Sequence, residues 1–413
     1  MTRSLEFRLS LLLAVVPLAA ATAATPPRPV VPAIQATGEI PDEKLLDVAS
    51  AVLYSGVAGE NPSTFEDRAI FPDLRRAEAM YFPVRLMDTL QSTGNWGAVR
   101  VVPRGVDTVE VLVRGKIFES TGLRLSFELT ARDASGREWF TRKYNQEADP
   151  RAYEEDQDQI RPAPFQQIYN DAANDLLAAR QKLKPQQLLD LPVISSLRFA
   201  ADLSPDSFGE YLERNRKGYY VRARSPAEDD PMLLRIGDIR QLDDLLVDTL
   251  TDHYANFQLE MIESYDRWRG FNFEEQLALR ELKAKARKLK FLGLLGILGG
   301  VLEAKKGDRY GVGQVAVIAG AAAIQAGVGA GQEAKIHREA LQELAASLDA
   351  ELDPMVIDVE GQTLRLTGSA DTQYETWREL LRQIFLTDTG LEIDPDSGTV
   401  LAGAAQKAGL PGS

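Results

Sequence analysis

Cysteine is missing from all 413 residues. Without it the chain can form no disulfide, no thiolate-bound metal centre and no thiol nucleophile. Lipid attachment at a signal-cleavage cysteine is excluded for the same reason. Histidine is nearly as scarce. His253 and His337 stand alone, with no HExxH pair and no ligand-like spacing. Each is expected to be an isolated, partly buried or capping side chain. Basic residues are in deficit: 47 Lys and Arg face 61 Asp and Glu, for a formal net charge of −14. A chain so acidic is a poor general partner for nucleic acid, whose phosphates demand cations.

Catalytic signatures are missing too. There is no Gly-Lys-[Ser/Thr] phosphate loop, no GxSxG elbow and no dinucleotide fingerprint. Acidic runs occur at Glu154-Glu155-Asp156 and Glu228-Asp229-Asp230. Paired carboxylates can do acid–base work, but these sit in polar, loop-like stretches. No catalytic residue, cofactor site, metal ligand or small-molecule substrate is therefore assigned, and the chain is not expected to be an enzyme.

What is present points to a globular protein outside the cytoplasm. Hydrophobic residues make up 44% and charged ones 26%, enough for two or three domains with real cores. Residues 1–23 have the form of a cleaved signal peptide: Arg3 and Arg8, an apolar stretch at 9–20, and small residues Ala21-Thr22-Ala23 at the cleavage positions. A Pro-rich linker (24–37) follows. The expected localisation is periplasmic, membrane-associated in one version of the reading.

Residues 38–184 carry strand and helix patterns in alternation. A buried strand is expected within 45–57, then a helix with Leu74, Met80, Tyr81, Val84, Met87 and Leu90 at helical spacing. Pro83 is expected to kink that helix or start a second one. A short strand follows at 96–103. Three further strands are separated by glycine turns at Gly122 and Gly136. An amphipathic helix at 164–183 closes the unit. Residues 185–235 are expected as a loop-rich connector.

The stretch GVDTVEVLVRGKIFESTGLRLSFELTARDASGREWFTRKY resembles the amino-terminal domain of TolB and the related core of the curli-secretion lipoprotein CsgG. Gly105-Val106-Asp107, Gly115 and the turn Asp133-Ala134-Ser135-Gly136-Arg137 carry the likeness. It covers about 38–183 and implies a βαβββα domain of an envelope protein that assembles with others. The chain departs from those families in lacking the lipid-attachment cysteine and the propeller repeats of TolB.

Beyond it, Ile239, Leu242, Leu246, Leu250, Tyr254, Phe257, Met261 and Trp268 recur at helical intervals. A long helix is expected from Ile236, ending at Gly270, with a second helix over 271–305 and a third from Val312. The aromatic stripe Tyr254, Phe257, Tyr265, Trp268, Phe271, Phe273 is expected as core rather than as an interfacial belt. Residues 336–402 have the order α-β-β-α, and Val359 to Gly368 resemble the strands of the BON domain of bacterial envelope proteins. A flexible tail is expected at 403–413.

The most distinctive segment is 280–331. Lys283, Lys285, Arg287, Lys288 and Lys290 lead into an apolar run, 291–302, that includes Phe291, Leu294, Leu295 and Leu298. A charged turn and a second apolar run, 312–331, follow. Gly313, Gly320 and Gly327 are spaced by seven, and Ala323, Gly327 and Gly331 by four. Such spacing places small residues on one helical face, where another backbone can approach closely. Each glycine costs up to about 1 kcal/mol in a helix, so a compensating contact is expected. The first run is shorter than the ~20 residues a span needs, and the second contains Gln314 and Gln325. A shallow hairpin on an anionic lipid surface, a homo-oligomer or envelope-protein contact, and a hairpin packed on itself all remain open. The expected fold class is α+β: a βαβββα domain, a long-helix section with a Gly/Ala-rich hairpin (236–335), and a small αββα domain. The expected function is a non-enzymatic envelope-assembly or export accessory. The alternative is a soluble periplasmic binding module.

Overall fold

The run of small and β-branched residues at 48–51 makes the middle strand of the sheet's parallel part. β1 (Val48–Ala51) is buried at all four positions, as a parallel strand covered on both faces must be. The computed structural model describes residues 31–65, 70–154, 163–224, 230–300 and 369–389. It also describes shorter pieces at 336, 339, 343, 355–359, 362–367, 392–393 and 400–401. From β1 the chain crosses through α1 (Pro72–Ser92) to β2 (Val99–Val102), which pairs parallel with β1. β3 (Val111–Ser120) pairs parallel with the other side of β1. β4 (Arg124–Asp133) and β5 (Glu138–Glu147) extend the sheet as antiparallel hairpins, giving the order β2-β1-β3-β4-β5.

The protein is thus α+β with a five-stranded mixed sheet, and six α-helices lie among the described residues. The order through α2 (Gln166–Arg180) is βαββββα, matching the five strands expected one by one along the sequence and one more than the βαβββα order that the resemblance implied. The turn at 133–137 shows why its sequence suits a hairpin. Asp133 Oδ1 accepts from the amides of Ser135 and Arg137, Oδ2 accepts from Trp139 Nε1, and Gly136 takes φ 84°. Pro83 does not divide α1. Proline lacks the N–H that would satisfy the Ala79 carbonyl, and that carbonyl instead accepts from Leu53 N at 2.9 Å, beside the end of β1.

Residues 185–235 are not mainly loop. They form α3 (Pro185–Leu203), the short α4 (Pro205–Phe208) and a small hairpin of β6 (Leu212–Arg214) and β7 (Tyr220–Arg222). Pro185 sits at the start of α3, where no N–H is needed. Leu191, Ile194, Leu197 and Ala200 bury one face.

The largest correction concerns the next element. α5 (Pro231–Gly300) is one helix of 70 residues, about 105 Å at 1.5 Å per residue. Gly270 does not end it. Trp268 and Arg269 on one side and Asn272 and Phe273 on the other are all buried, so tertiary contacts outweigh the glycine penalty. The aromatic stripe is core, as expected: Tyr254, Phe257, Tyr265, Trp268 and Phe273 are buried, and Phe271 is half-buried. β8 (Met355–Val359) and β9 (Gln362–Leu366) pair antiparallel. α6 (Ala370–Thr389) buries Tyr374, Trp377, Leu381, Phe385 and Leu386, and it packs on α5 and α3. β10 (Glu392–Ile393) and β11 (Val400–Leu401) form a last short pair. One hydrophobic core runs without a break from the sheet through α5 to α6.

A methyl group on Gly270 would meet only Tyr153, at an ordinary 3.8 Å. Gly270→Ala should therefore stabilise the protein by about 0.5–1 kcal/mol. Thermal unfolding would show it as a raised midpoint, and a lowered one would contradict the unbroken helix.

Candidate functional site

The functional candidate is α5, which is anchored on the sheet along one part of its length and carries the 280–300 stretch along the rest. Its anchoring begins beside α6. Asp243 is 7% exposed; its Oδ2 lies 3.5 Å from Tyr374 OH and 3.6 Å from Arg378 Nη1. Arg378 in turn donates to Asp202 of α3 at 2.5 Å. About two turns further on, α5 closes the sheet's β2 edge. Thr251 Oγ1 accepts from Val101 N (3.2 Å) and donates to Val101 O (3.0 Å), while Arg100 reaches Asp248 at 2.5 Å. An edge strand otherwise presents unpaired backbone groups to any passing chain.

The middle anchor is buried. Glu78 on α1 is 0% exposed, and its Oε1 accepts from Ser120 Oγ at 2.6 Å and from Tyr265 OH at 2.7 Å. Arg75 Nε lies 3.5 Å from the other carboxylate oxygen. Burial raises the Glu78 pKa, and the Arg75 charge works against that rise. Burial also pushes the Tyr265 phenol well above its ordinary value. The Arg269 guanidinium stacks 4.3 Å from the Tyr265 ring, and Trp268 lies parallel to that ring at 5.9 Å. The β3–β4 turn then inserts its tip against α5. Gly122 N donates to Asn272 Oδ1 at 2.8 Å, and Tyr153 OH donates to Gly122 O at 2.7 Å. A β-carbon on Gly122 would lie 2.0 Å from Arg269 O. The last described contact of α5 with the sheet is the ion pair of Arg280 with Glu147, at 3.3 Å.

From that pair α5 runs on for twenty residues, about 30 Å. Lys283, Lys285, Arg287, Lys288, Lys290, Phe291, Leu294, Leu295 and Leu298 all belong to this continuation. Gly313, Gly320, Ala323, Gly327 and Gly331 lie outside the described residues, as does His337. No helix among the described residues is long and apolar enough to cross a membrane. His253 is half-buried on α5, edge-on to the Tyr254 ring at 6.1 Å. Among the described residues no group of His, Asp and Glu side chains could hold a metal ion.

Sequence reasoning missed one polar cluster. Asp47 before β1, Arg100, Glu110 before β3, and Arg240, Asp243 and Asp244 of α5 surround a cavity of about 120 Å³. Glu110 accepts from Asp47 N at 2.7 Å. Burial lifts the Glu110 pKa to about 7, the Asp47 amide opposing. Burial likewise lifts Asp243 to about 6 against the Arg378 charge. The cavity has room for a few waters and falls short of the ~300 Å³ at which small-molecule sites begin. It is a polar joint between sheet and helix. Its members lie too far apart in sequence for any motif to reveal them.

No protein-family model, no curated protein and no solved structure matches the chain. The fold therefore defines only a class: an α+β protein whose mixed sheet is closed along one edge by a helix much longer than the sheet.

Gly122 and Glu110, at opposite ends of β3, each give a test. Gly122→Ala forces backbone apart and should cost about 1–3 kcal/mol in denaturant unfolding. Glu110 binds its proton more tightly in the folded state than its ordinary 4.5, so the slope of stability with pH is negative between about 4.5 and 7. Stability from this group is full below that window and lost above it. Glu110→Gln should keep the bond to Asp47 N, flatten that fall and raise stability at pH 8 by on the order of 1–2 kcal/mol. Unchanged unfolding curves across pH 4–8 would contradict the assignment.

Proposed function

We propose that the protein is a non-enzymatic cell-envelope assembly or export accessory that acts outside the cytoplasm. It would use the 280–331 stretch to dock on an anionic membrane surface or on further copies of itself. One observation carries this reading. α5 is unbroken from its anchored part, through the basic residues 280–290, into the apolar residues 291–300. A stiff rod then carries that apolar run from about 16 Å to about 30 Å beyond the Arg280–Glu147 pair, distances set by the helical rise. Cations just before an apolar run suit an anionic headgroup layer, where each adds about 1 kcal/mol. The signal-like residues 1–23 and the TolB/CsgG-like and BON-like stretches support the envelope setting. The second reading, a soluble periplasmic module with the hairpin packed on itself, is favoured by the short first apolar run.

Cell fractionation and vesicle sedimentation separate these readings. The full chain should pellet with anionic vesicles, lose binding at high salt, and be released when 291–331 is deleted. If the contact is between copies, light scattering should give a mass above the monomer, lost on Gly320→Leu with Gly327→Leu. A full-length protein that is monomeric and wholly soluble would overturn the proposal and leave the binding module.

A further inference from the structure

The structure assigns a second binding site, at the opposite end of the parallel strands from the Glu110 cavity. In open sheets, ligands settle outside the carboxyl ends of parallel strands where the chain connections diverge. β1 is such a point: its own connection leads through α1 to β2 on one side, while β3 lies on the other. A crevice of about 320 Å³ opens there, within the range of small-molecule sites.

Tyr54 is its most telling member. Its backbone is fixed to β3 by Tyr54 N to Gly115 O and Ile117 N to Tyr54 O, both 2.9 Å. Its side chain nevertheless stays 56% exposed. An aromatic on a fixed backbone that joins no core offers a stacking surface. The Arg104 guanidinium lies 5.5 Å from its ring centre. Arg104 Nη2 donates to Leu53 O at 2.9 Å and Nη1 to Asp371 at 3.2 Å, whereas its buried Nε has no hydrogen-bond partner. Arg76 of α1, paired with Asp73, lines the other side. Met80 and the buried Tyr254 complete an apolar wall.

The hydrogen-bond donors decide the ligand's polar group. Each of the two lining arginines already faces one carboxylate, Arg76 facing Asp73 and Arg104 facing Asp371, so what selects an anion is their N–H donors, above all the unpartnered Arg104 Nε. The Arg104–Asp371 pair is more than a third exposed on both partners. Such pairs contribute about 0–1 kcal/mol, so an incoming anion can share the guanidinium. The aromatic and apolar walls call for an apolar group beside that anion. The ligand class is thus a carboxylate adjoining an apolar or aromatic side group, as in a free small acid or the carboxy-terminal residue of a peptide. None of these residues belongs to 280–331, so the site stands whether or not that stretch docks.

The test is calorimetric titration of the purified full chain with N-acetyl-phenylalanine, its amide, and the tripeptide Ala-Ala-Phe. The acid should saturate, and the amide should bind at least about tenfold more weakly, as loss of one charge-assisted pair predicts. Arg76→Gln and Tyr54→Ala, both at exposed side chains, should each weaken the acid by about three- to tenfold with circular dichroism unchanged. Arg267→Gln, on the outer face of α5, should bind as the parent does. Tighter binding of the tripeptide would point to a peptide terminus, and equal binding to a free acid; both support the site. Amide and acid binding alike, no saturation by about 10 mM, or variants that bind as the parent would overturn it.

Discussion

The seat of Tyr265 on Glu78 is the constraint from which the rest of the arrangement follows. A carboxylate with no solvent contact is expensive unless its oxygens are engaged. Here two hydroxyls from two different elements point at one oxygen, and Arg75 approaches the other. The network can be satisfied only when α1, the end of β3 and α5 are all in place. It fixes α5 both along its axis and in rotation. The aromatic residues on either side supply the bulk of the burial, at roughly 1.5–3 kcal/mol per large side chain.

Once α5 is fixed in this way, its other contacts fall into register. Thr251 lands on Val101 and Asn272 on Gly122, about 20 residues and six turns apart. The helix then covers the β2 edge, leaving β5 as the other edge of the sheet. β5 is protected differently, by Arg142, Lys143 and Glu147 along an exposed strand. The fixed part of α5 also sets the direction in which residues 281–300 leave the sheet, which is what gives the basic and apolar stretch its reach.

The two cavities flank the same three parallel strands. At their amino ends, Asp47, Glu110 and the α5 acids form a small polar joint that weakens as Glu110 and Asp243 ionise. At their carboxyl ends, Tyr54, Arg76 and Arg104 line a larger crevice rich in guanidinium donors. α5 and α6 contribute to both surroundings, Asp243 meeting Tyr374 on one side and Tyr254 lying near Asp371 on the other. Sheet, long helix and carboxy-terminal helix thus behave as one structural body.

Local pattern was enough for much of the fold. Alternation and glycine turns located β3, β4 and β5, because hairpin partners are sequence neighbours and Asp133 caps its own turn. Helical spacing found the buried stripe of α5 from Ile239 to Trp268, since one face of a helix is written every three or four residues. The basic and apolar composition of 280–300 was equally plain. Three things were decided only in three dimensions. Gly270 looked like a stop until buried neighbours on both sides held the helix through it. Pro83 looked like a break, yet Ala79 O found Leu53 N across the fold. The Glu110 joint and the Tyr54 crevice gather residues from up to five separate elements, and pairing over such separations leaves no mark on local sequence. Propensity and period are local quantities, whereas desolvation and close approach depend on what the rest of the chain brings alongside.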